Sequence, residues 1–421
     1  MNFKKTVLAL SVMAAATTSA NAAAPSNEEI WQKLLEMQQQ MAQVQEKNQQ
    51  LQAENESLKT KVEATEKVAL EATEAAEAVA IATEEAVKTA SSAMDKNSIG
   101  GYGELHYNNL EDENGNDTKE IDFHRFVLYF GHEFRDDLRF FSELELEHSI
   151  AGDGKSGEIE LEQAYIEYDM NEQHSVKGGL FLSPVGIINE THEPNTFYGT
   201  ERNNVEKNII PATWWAAGAM FSGEIGNGFS YDAAVTSGLD VTAGGTKTTY
   251  KIRDGRQKVS KALAEDLAYT GRLKWTGIPG VELGLTAQYQ EDITQSQDAT
   301  AGSATLLETH AVLQRGAFGL RALYATWDLE GSGPAAQGYD EQTGWYVEPS
   351  FRINENFGVF ARYNEWDNQA GDALDSEYDQ IDLGVNWWPH QDVVVKLDYQ
   401  MQDKPAGGEL DGFNVGLGYQ F

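Results

Sequence analysis

Two kinds of hydrophobic spacing divide the chain. Between residues 25 and 95 the apolar side chains step alternately by three and four: Ile30, Leu34, Met37, Met41 and Val44, then Leu51, Leu58 and Val62. Placing Leu34, Met41, Asn48, Asn55 and Val62 at heptad position a, and Ile30, Met37, Val44, Leu51 and Leu58 at d, sustains one register over five heptads. That predicts a coiled coil rather than a globular helix. Ser26 followed by Glu29 supplies a capping-box start. The two asparagines at a fix the register and lower the stability. From about Glu66 the seam turns Ala-rich without Gly or Pro; a fraying linker is the alternative for that half. Roughly 70 helical residues make a rod of about 100 Å. A rod that thin cannot bury its stripe alone, so the prediction includes self-association.

From Ser98 onward the period changes to two. About sixteen segments of 10–14 residues alternate apolar and polar positions, as in Val393, Val395, Leu397, Tyr399 and Met401 against Val394, Lys396, Asp398 and Gln400. Short turns such as Arg135-Asp136-Asp137, Asn171-Glu172-Gln173, Gly226-Asn227-Gly228 and Arg315-Gly316-Ala317 alternate with longer polar loops, the largest at 184–211 and 239–262. An even strand count with short turns on one side and long loops on the other predicts an all-β transmembrane barrel over 98–421, of about sixteen antiparallel strands. That size class encloses an aqueous channel. A soluble β-sandwich would alternate similarly, but would not concentrate aromatics near strand ends, as at Trp275, Trp327, Trp366 and Trp387-Trp388, or end its last strand on Phe421.

The N-terminus places the barrel. Lys4 and Lys5, the apolar run Thr6–Ala16 and the small residues ending in Ala20-Asn21-Ala22 make residues 1–22 a secretory signal peptide. Residues 25–95 then precede a first strand that starts from the inner side, which puts the stalk in the periplasm and the barrel in a Gram-negative outer membrane, in contact with lipid and lipopolysaccharide. The stalk also suggests a structural reading, in which the barrel anchors an envelope tether to a periplasmic partner.

Composition narrows the chemistry. The 421 residues hold 67 acids and 31 bases, a net charge of -36, which argues against a nucleic-acid partner. The absence of cysteine excludes disulfides and thiolate sites. No H-E-x-x-H or G-x-S-x-G motif occurs, so neither an enzyme nor a cofactor is expected. Asp112–Asp117 looks calcium-like, but its Gly115 stands at position 4 rather than 6, and no metal site is assigned.

Strand parity points a set of charges into the lumen: Glu143, Glu145, Glu147, Glu160, Glu162, Asp232, Glu282, Glu308, Glu348, Asp382 and Asp398, against Arg125, Arg139, Lys177, Arg272, Lys274, Arg321, Arg352, Arg362 and Lys396. The near balance assigns most of the negative excess to loops. Either opposed rows of charge set a transverse field, or the groups satisfy one another and water. A break in parity near Gln163 predicts a bulge. Lys247, Lys251, Arg253, Arg256, Lys258 and Lys261 make the fourth loop basic, either drawing in anions, binding lipopolysaccharide phosphates, or standing as a solvated loop.

Three stretches carry a family resemblance: Phe123-His124-Arg125-Phe126-Val127-Leu128; Ala164–Tyr168 leading to Lys177–Gly186; and Phe197-Tyr198-Gly199-Thr200-Glu201-Arg202 before Ile210-Pro211. Here the chain resembles the phosphate-selective porin O/P family. The resemblance implies a homotrimer of sixteen-stranded barrels, a third loop folded into the channel, and basic residues in the wall. In this sequence the third loop, 184–211, would carry Glu190, His192, Glu193, Glu201, Arg202, Glu206 and Lys207 to the constriction. Passive diffusion of small hydrophilic solutes or ions, phosphate or other anions among them, is the function implied. The acidic loops oppose this with a weak cation preference.

Overall fold

The computed structural model describes residues 96–421, apart from 245–247 and 406, together with scattered positions between 27 and 59. The signal peptide and the Ala-rich half of the stalk lie outside the described residues. So do Lys247 and most of the heptad positions. Every described position from 27 to 59 is helical and exposed, Trp31, Leu34, Leu35 and Met41 included.

The second unit, Ala93–Phe421, is a barrel. Its strands are β1 (Asn97–Asp112), β2 (Thr118–Arg135), β3 (Leu138–Glu147), β4 (Ile159–Asn171), β5 (His174–Leu182), β6 (Trp215–Gly226), β7 (Phe229–Thr236) and β8 (Ala268–Trp275). There follow β9 (Val281–Gln290), β10 (Ala304–Arg315), β11 (Phe318–Leu329), β12 (Glu341–Arg352), β13 (Phe357–Asp367), β14 (Tyr378–His390), β15 (Val393–Asp403) and β16 (Leu410–Gln420). Each pairs antiparallel with its neighbours, and β16 closes on β1 from Tyr102↔Gln420 to Asp112↔Leu410. Phe421 extends that seam by exchanging backbone hydrogen bonds with Gly101 at 3.0 and 2.9 Å. Closure leaves no edge, the condition for placing strands in hydrocarbon, where an unpaired backbone group costs several kcal/mol.

Alternation decides which side chains meet lipid. Leu397, Tyr399, Phe413 and Leu417 are exposed outward, while the intervening Lys396, Asp398 and Asn414 are buried inside. Two bulges break the alternation away from the turns, the other register shifts lying at strand ends beside them. Between the pairs Glu104↔Arg125 and His106↔Asp122, β2 carries one residue more than β1. Between Glu143↔Gln163 and Leu144↔Leu161, Glu162 is the extra residue of β4. A bulge re-aims the side chains around it, so Asp122, His124 and Arg125 all face inward.

The interior is not polar throughout. Leu306, Leu323, Ala325, Trp327 and Leu329 of β10 and β11, with Tyr346 and Trp366, form an apolar core with loop residues inside the barrel. Trp327, Trp366 and Trp388 are therefore no part of an outer aromatic girdle. They share parity with inward residues such as Arg362 and Asn386 and are buried, whereas Trp387 faces out. The loops are also longer than turn chemistry alone suggests: the third (loop 3) runs from 183 to 214 and the fourth (loop 4) from 237 to 267.

Candidate functional site: the constriction

Loop 3 is a folded unit inside the lumen. The Asn189 amide donates to Ser183 O at 2.8 Å and Trp214 O at 3.0 Å, and accepts from Trp214 N at 2.7 Å, tying the two ends of the loop together. Glu206, at 0% exposure, accepts four hydrogen bonds: from Ile187 N (2.6 Å), Ile188 N (2.7 Å), Asn203 Nδ2 (3.0 Å) and Tyr346 Oη (2.9 Å). Gly186 has φ +76°, and a Cβ there would come within 2.5 Å of Glu206 Oε1, so the position needs glycine on both counts. Val185, Ile187, Val205, Ile209 and Ile210 then pack into the interior core. Trp327 Nε1 donates to Ile209 O at 3.0 Å. The loop thus fills the β10–β13 side of the lumen.

Many wall cations hold this loop. Arg321 donates to Thr196 O at 2.5 Å, and Arg362 to Tyr198 O at 3.4 Å and Glu201 O at 3.2 Å. Arg362 also pairs with Asp382 (2.9 Å) and Glu348 (3.3 Å). Arg272 joins Glu190 of the loop to Asp232 of β7. Lys396 lies 3.6 Å over the Phe197 ring, and Asp398 accepts from Thr200 N at 2.7 Å. On the opposite wall His192 Nε2 sits 3.3 Å from Glu143 and 3.5 Å from Glu162. Tyr129 Oη donates to Glu193 at 3.3 Å. Arg139 pairs with Glu167 and Asp169 and Lys274 approaches Glu282 at 4.0 Å, away from the loop, while Arg352 lies over Trp388, whose ring meets Tyr198 of the loop edge-on. Of the cations of β8 and β11–β13, Arg272 and Arg362 are paired with carboxylates in place and Lys274 stands near one, whereas Arg321 and Arg352 contact backbone carbonyls and a ring.

Beside loop 3, open space lies against β1–β4. A cavity of about 230 Å³ is bounded by Glu104, His106, His124 and Arg125 of β1 and β2, by Glu147, Glu160 and Glu162, and by Thr200, Glu201, Arg202 and Lys207 of loop 3. Loop 4 completes it with Arg253, Arg256 and Lys258. Arg253 donates to Lys207 O (2.7 Å) and Ala212 O (3.1 Å), and Arg256 to Thr213 O (2.7 Å). Lys258 pairs with Glu158 and Glu160. The basic fourth loop is folded over loop 3 and brings its cations into the constriction. Burial first, and then Arg256 and Arg202, push Arg253 below its ordinary range; burial likewise lowers Arg256 and Lys207, against the pull of Glu160 and Glu201 respectively. Arginine stays charged, so the shifts report mainly the cost of burying these cations, with repulsion from neighbouring cations added, and an entering anion would offset both.

Parity did not single out some of the residues that matter most. Glu104 pairs with Arg125 at 2.8 Å, and Glu145 with the same guanidinium at 3.3 Å. His106 bridges Glu104 (3.3 Å) and Glu201 (3.0 Å), and Asn108 donates to Glu201 at 3.2 Å. All three sit at even positions of β1, alternating with Gly103, Leu105 and Tyr107; that period was the signal available.

Comparison with known proteins agrees with this arrangement. Residues 93–406 match the family described as phosphate-selective porin O and P. A protein of Aquifex aeolicus (strain VF5) is 30% identical over 361 residues, 77% of this chain and 80% of that one. The fold is similar to that of an anion-selective porin from Comamonas acidovorans, with a TM-score of 0.55 at 13% identity over 77% of this chain and 99% of that one. It is similar also to Salmonella typhi OmpF in complex with daunomycin, with a TM-score of 0.54 at 13% identity over 77% and 97%. With a closed sixteen-stranded barrel, an infolded third loop and this match, the chain belongs to the phosphate-selective porin O and P family of outer-membrane channels.

Proposed function

We propose that the channel passes small hydrophilic solutes by diffusion and favours small anions, phosphate included, at its constriction. The observation that carries this is the convergence of Arg202, Lys207, Arg253 and Arg256 on one cavity, where Lys258 offsets Glu160. Arg256 Nε is buried there without a hydrogen-bond partner among the described residues. Fixed donors in a narrow, low-dielectric passage act on ions far more strongly than charges at an open mouth. The acidic outer loops work the other way. Their field decays over about 10 Å at 0.1 M salt, so the anion preference should strengthen as salt rises. Reversal potentials of the full-length protein in planar bilayers, under a potassium chloride and then a potassium phosphate gradient, test the reading. The double substitution Arg253→Ala/Arg256→Ala should move the reversal potential toward cations. An unchanged potential would refute it.

The same proposal includes the chain's organisation: a cleaved signal over 1–22, a periplasmic coiled-coil stalk over 25–95, and a homotrimeric barrel over 98–421. What supports the stalk is the helical, exposed state of Trp31, Leu34, Leu35 and Met41, large apolar groups that stand 44–68% exposed.

A further inference from the structure

Beside the constriction the two β2 side chains re-aimed by the bulge meet a third. His124 Nδ1 lies 3.1 Å from Asp122 Oδ2, and His148 Nδ1, on the residue that follows β3, lies 2.8 Å from the same oxygen. The three donor atoms all fall within 4.8 Å of one another. Their side chains are 29%, 22% and 35% exposed for His124, Asp122 and His148; all three border one cavity, and the two histidines border the constriction cavity as well. They are therefore reachable from the lumen.

The rings are held in place. His106 stacks on His124 with centroids 4.6 Å apart and planes 11° from parallel. It cannot itself turn to ligate, because its nitrogens are engaged by Glu104 and Glu201. His148 crosses His124 edge-on at 5.7 Å, and its backbone N–H donates to His124 O at 3.2 Å. His148 also adopts φ +51°, an uncommon conformation outside glycine, which turns its ring toward the lumen at the point where β3 ends.

Two imidazoles and a carboxylate form a nitrogen-and-oxygen donor set suited to first-row divalent ions. Bonds of about 2.0–2.1 Å to a tetrahedral ion place neighbouring donors roughly 3.3 Å apart. The Asp122–His124 and Asp122–His148 separations lie a few tenths of an ångström below that, so an ion needs only a small outward adjustment. We propose that Asp122, His124 and His148 form a binding site for a zinc-class divalent ion in the channel wall, with a fourth coordination position open to lumen water or to a solute oxygen. The site does not depend on the channel's anion preference.

Calorimetric titration of zinc chloride into the full-length, chelator-stripped protein in detergent tests this. One ion per barrel should bind, and His124→Gln and His148→Gln should each weaken binding by at least about ten-fold. His132→Gln, on the same strand but outside the cavities, should leave it unchanged. Unaltered zinc affinity in the His124→Gln/His148→Gln double variant would overturn the proposal. Should that variant fail to give the heat-modifiable band of a folded barrel, cobalt titration of the unmodified protein decides instead. Intense visible bands of a four-coordinate nitrogen–oxygen site are expected, and their absence refutes the site.

Discussion

His192 shows what one loop residue does for the passage. Its Nδ1 faces the carbonyl of Asn189 at 3.1 Å, which can only accept, so that nitrogen carries a proton. Its Nε2 faces two carboxylates, so it must carry one as well. Burial works against that doubly protonated ring, but Glu143 and Glu162 outweigh it and raise His192 from 6.5 to about 10. The sign follows: a charged form favoured by folding contributes its full stabilisation below pH 6.5 and loses it as pH rises through about 10. Conductance should therefore be steady from neutral pH to about 9 and increase as the loop loosens above it. His192→Gln should abolish the dependence. It should also cost roughly 3–5 kcal/mol of loop stability, because two buried acids are left without their cation. A pH profile of single-channel conductance, identical in both proteins, would contradict this. His192 was legible in the sequence as a member of the third loop, but its partners were not. They lie 49 and 30 residues away on β3 and β4, and strand parity placed both in the lumen without showing that they meet this ring.

At the scale of elements, the strands were legible and the packing of the loops was not. Period-two alternation survives wherever one face meets lipid, as in β15 and β16, because both the outer and the inner requirement are written in adjacent residues. It misled where Leu306, Leu323 and Trp327 face inward: nothing local distinguishes a side chain that meets lipid from one that meets a folded loop. Likewise Arg253 reaches Ala212 and Lys207 across 41 and 46 residues, so a run that reads as solvated loop becomes part of the constriction. These contacts make loop 3 a rigid element, and Glu206 its central fastening. Glu206→Ala would leave the N–H groups of Ile187 and Ile188, the Asn203 amide and Tyr346 Oη without their acceptor, at about 1–3 kcal/mol each where water cannot replace it. The expected result is larger and noisier conductance with the barrel still closed, as read from single-channel traces and heat-modifiable mobility. Unchanged conductance would mean that the apolar core alone holds the loop.

For the whole molecule the open question of assembly turns on two surfaces that give different counts. The chain enters β1 at the short-turn end, where Asn97 pairs with His132 beside the β2–β3 turn. In the proposed trimer, coiled-coil stalks would then leave from one side of the membrane and run parallel. Asparagine at heptad position a is best attested in two-stranded coils, so Asn48 and Asn55 favour a dimer for the stalk by itself. Each barrel, however, presents a broad outward face of apolar side chains such as Leu283, Leu285, Leu397 and Leu417, through which the proposed trimer would associate. A thin helical seam weakened by asparagine and alanine stabilises far less than such a face. The proposed trimer is therefore set by the barrels, with the stalk adapting to their symmetry. Light scattering or native mass measurement of the detergent-extracted full chain should give three copies, and removal of residues 25–95 should leave that number unchanged. A stable monomer or dimer of the intact chain refutes the trimer. A trimer that falls apart once the stalk is removed would instead place the assembly energy in the helices, contrary to this ranking of the two surfaces.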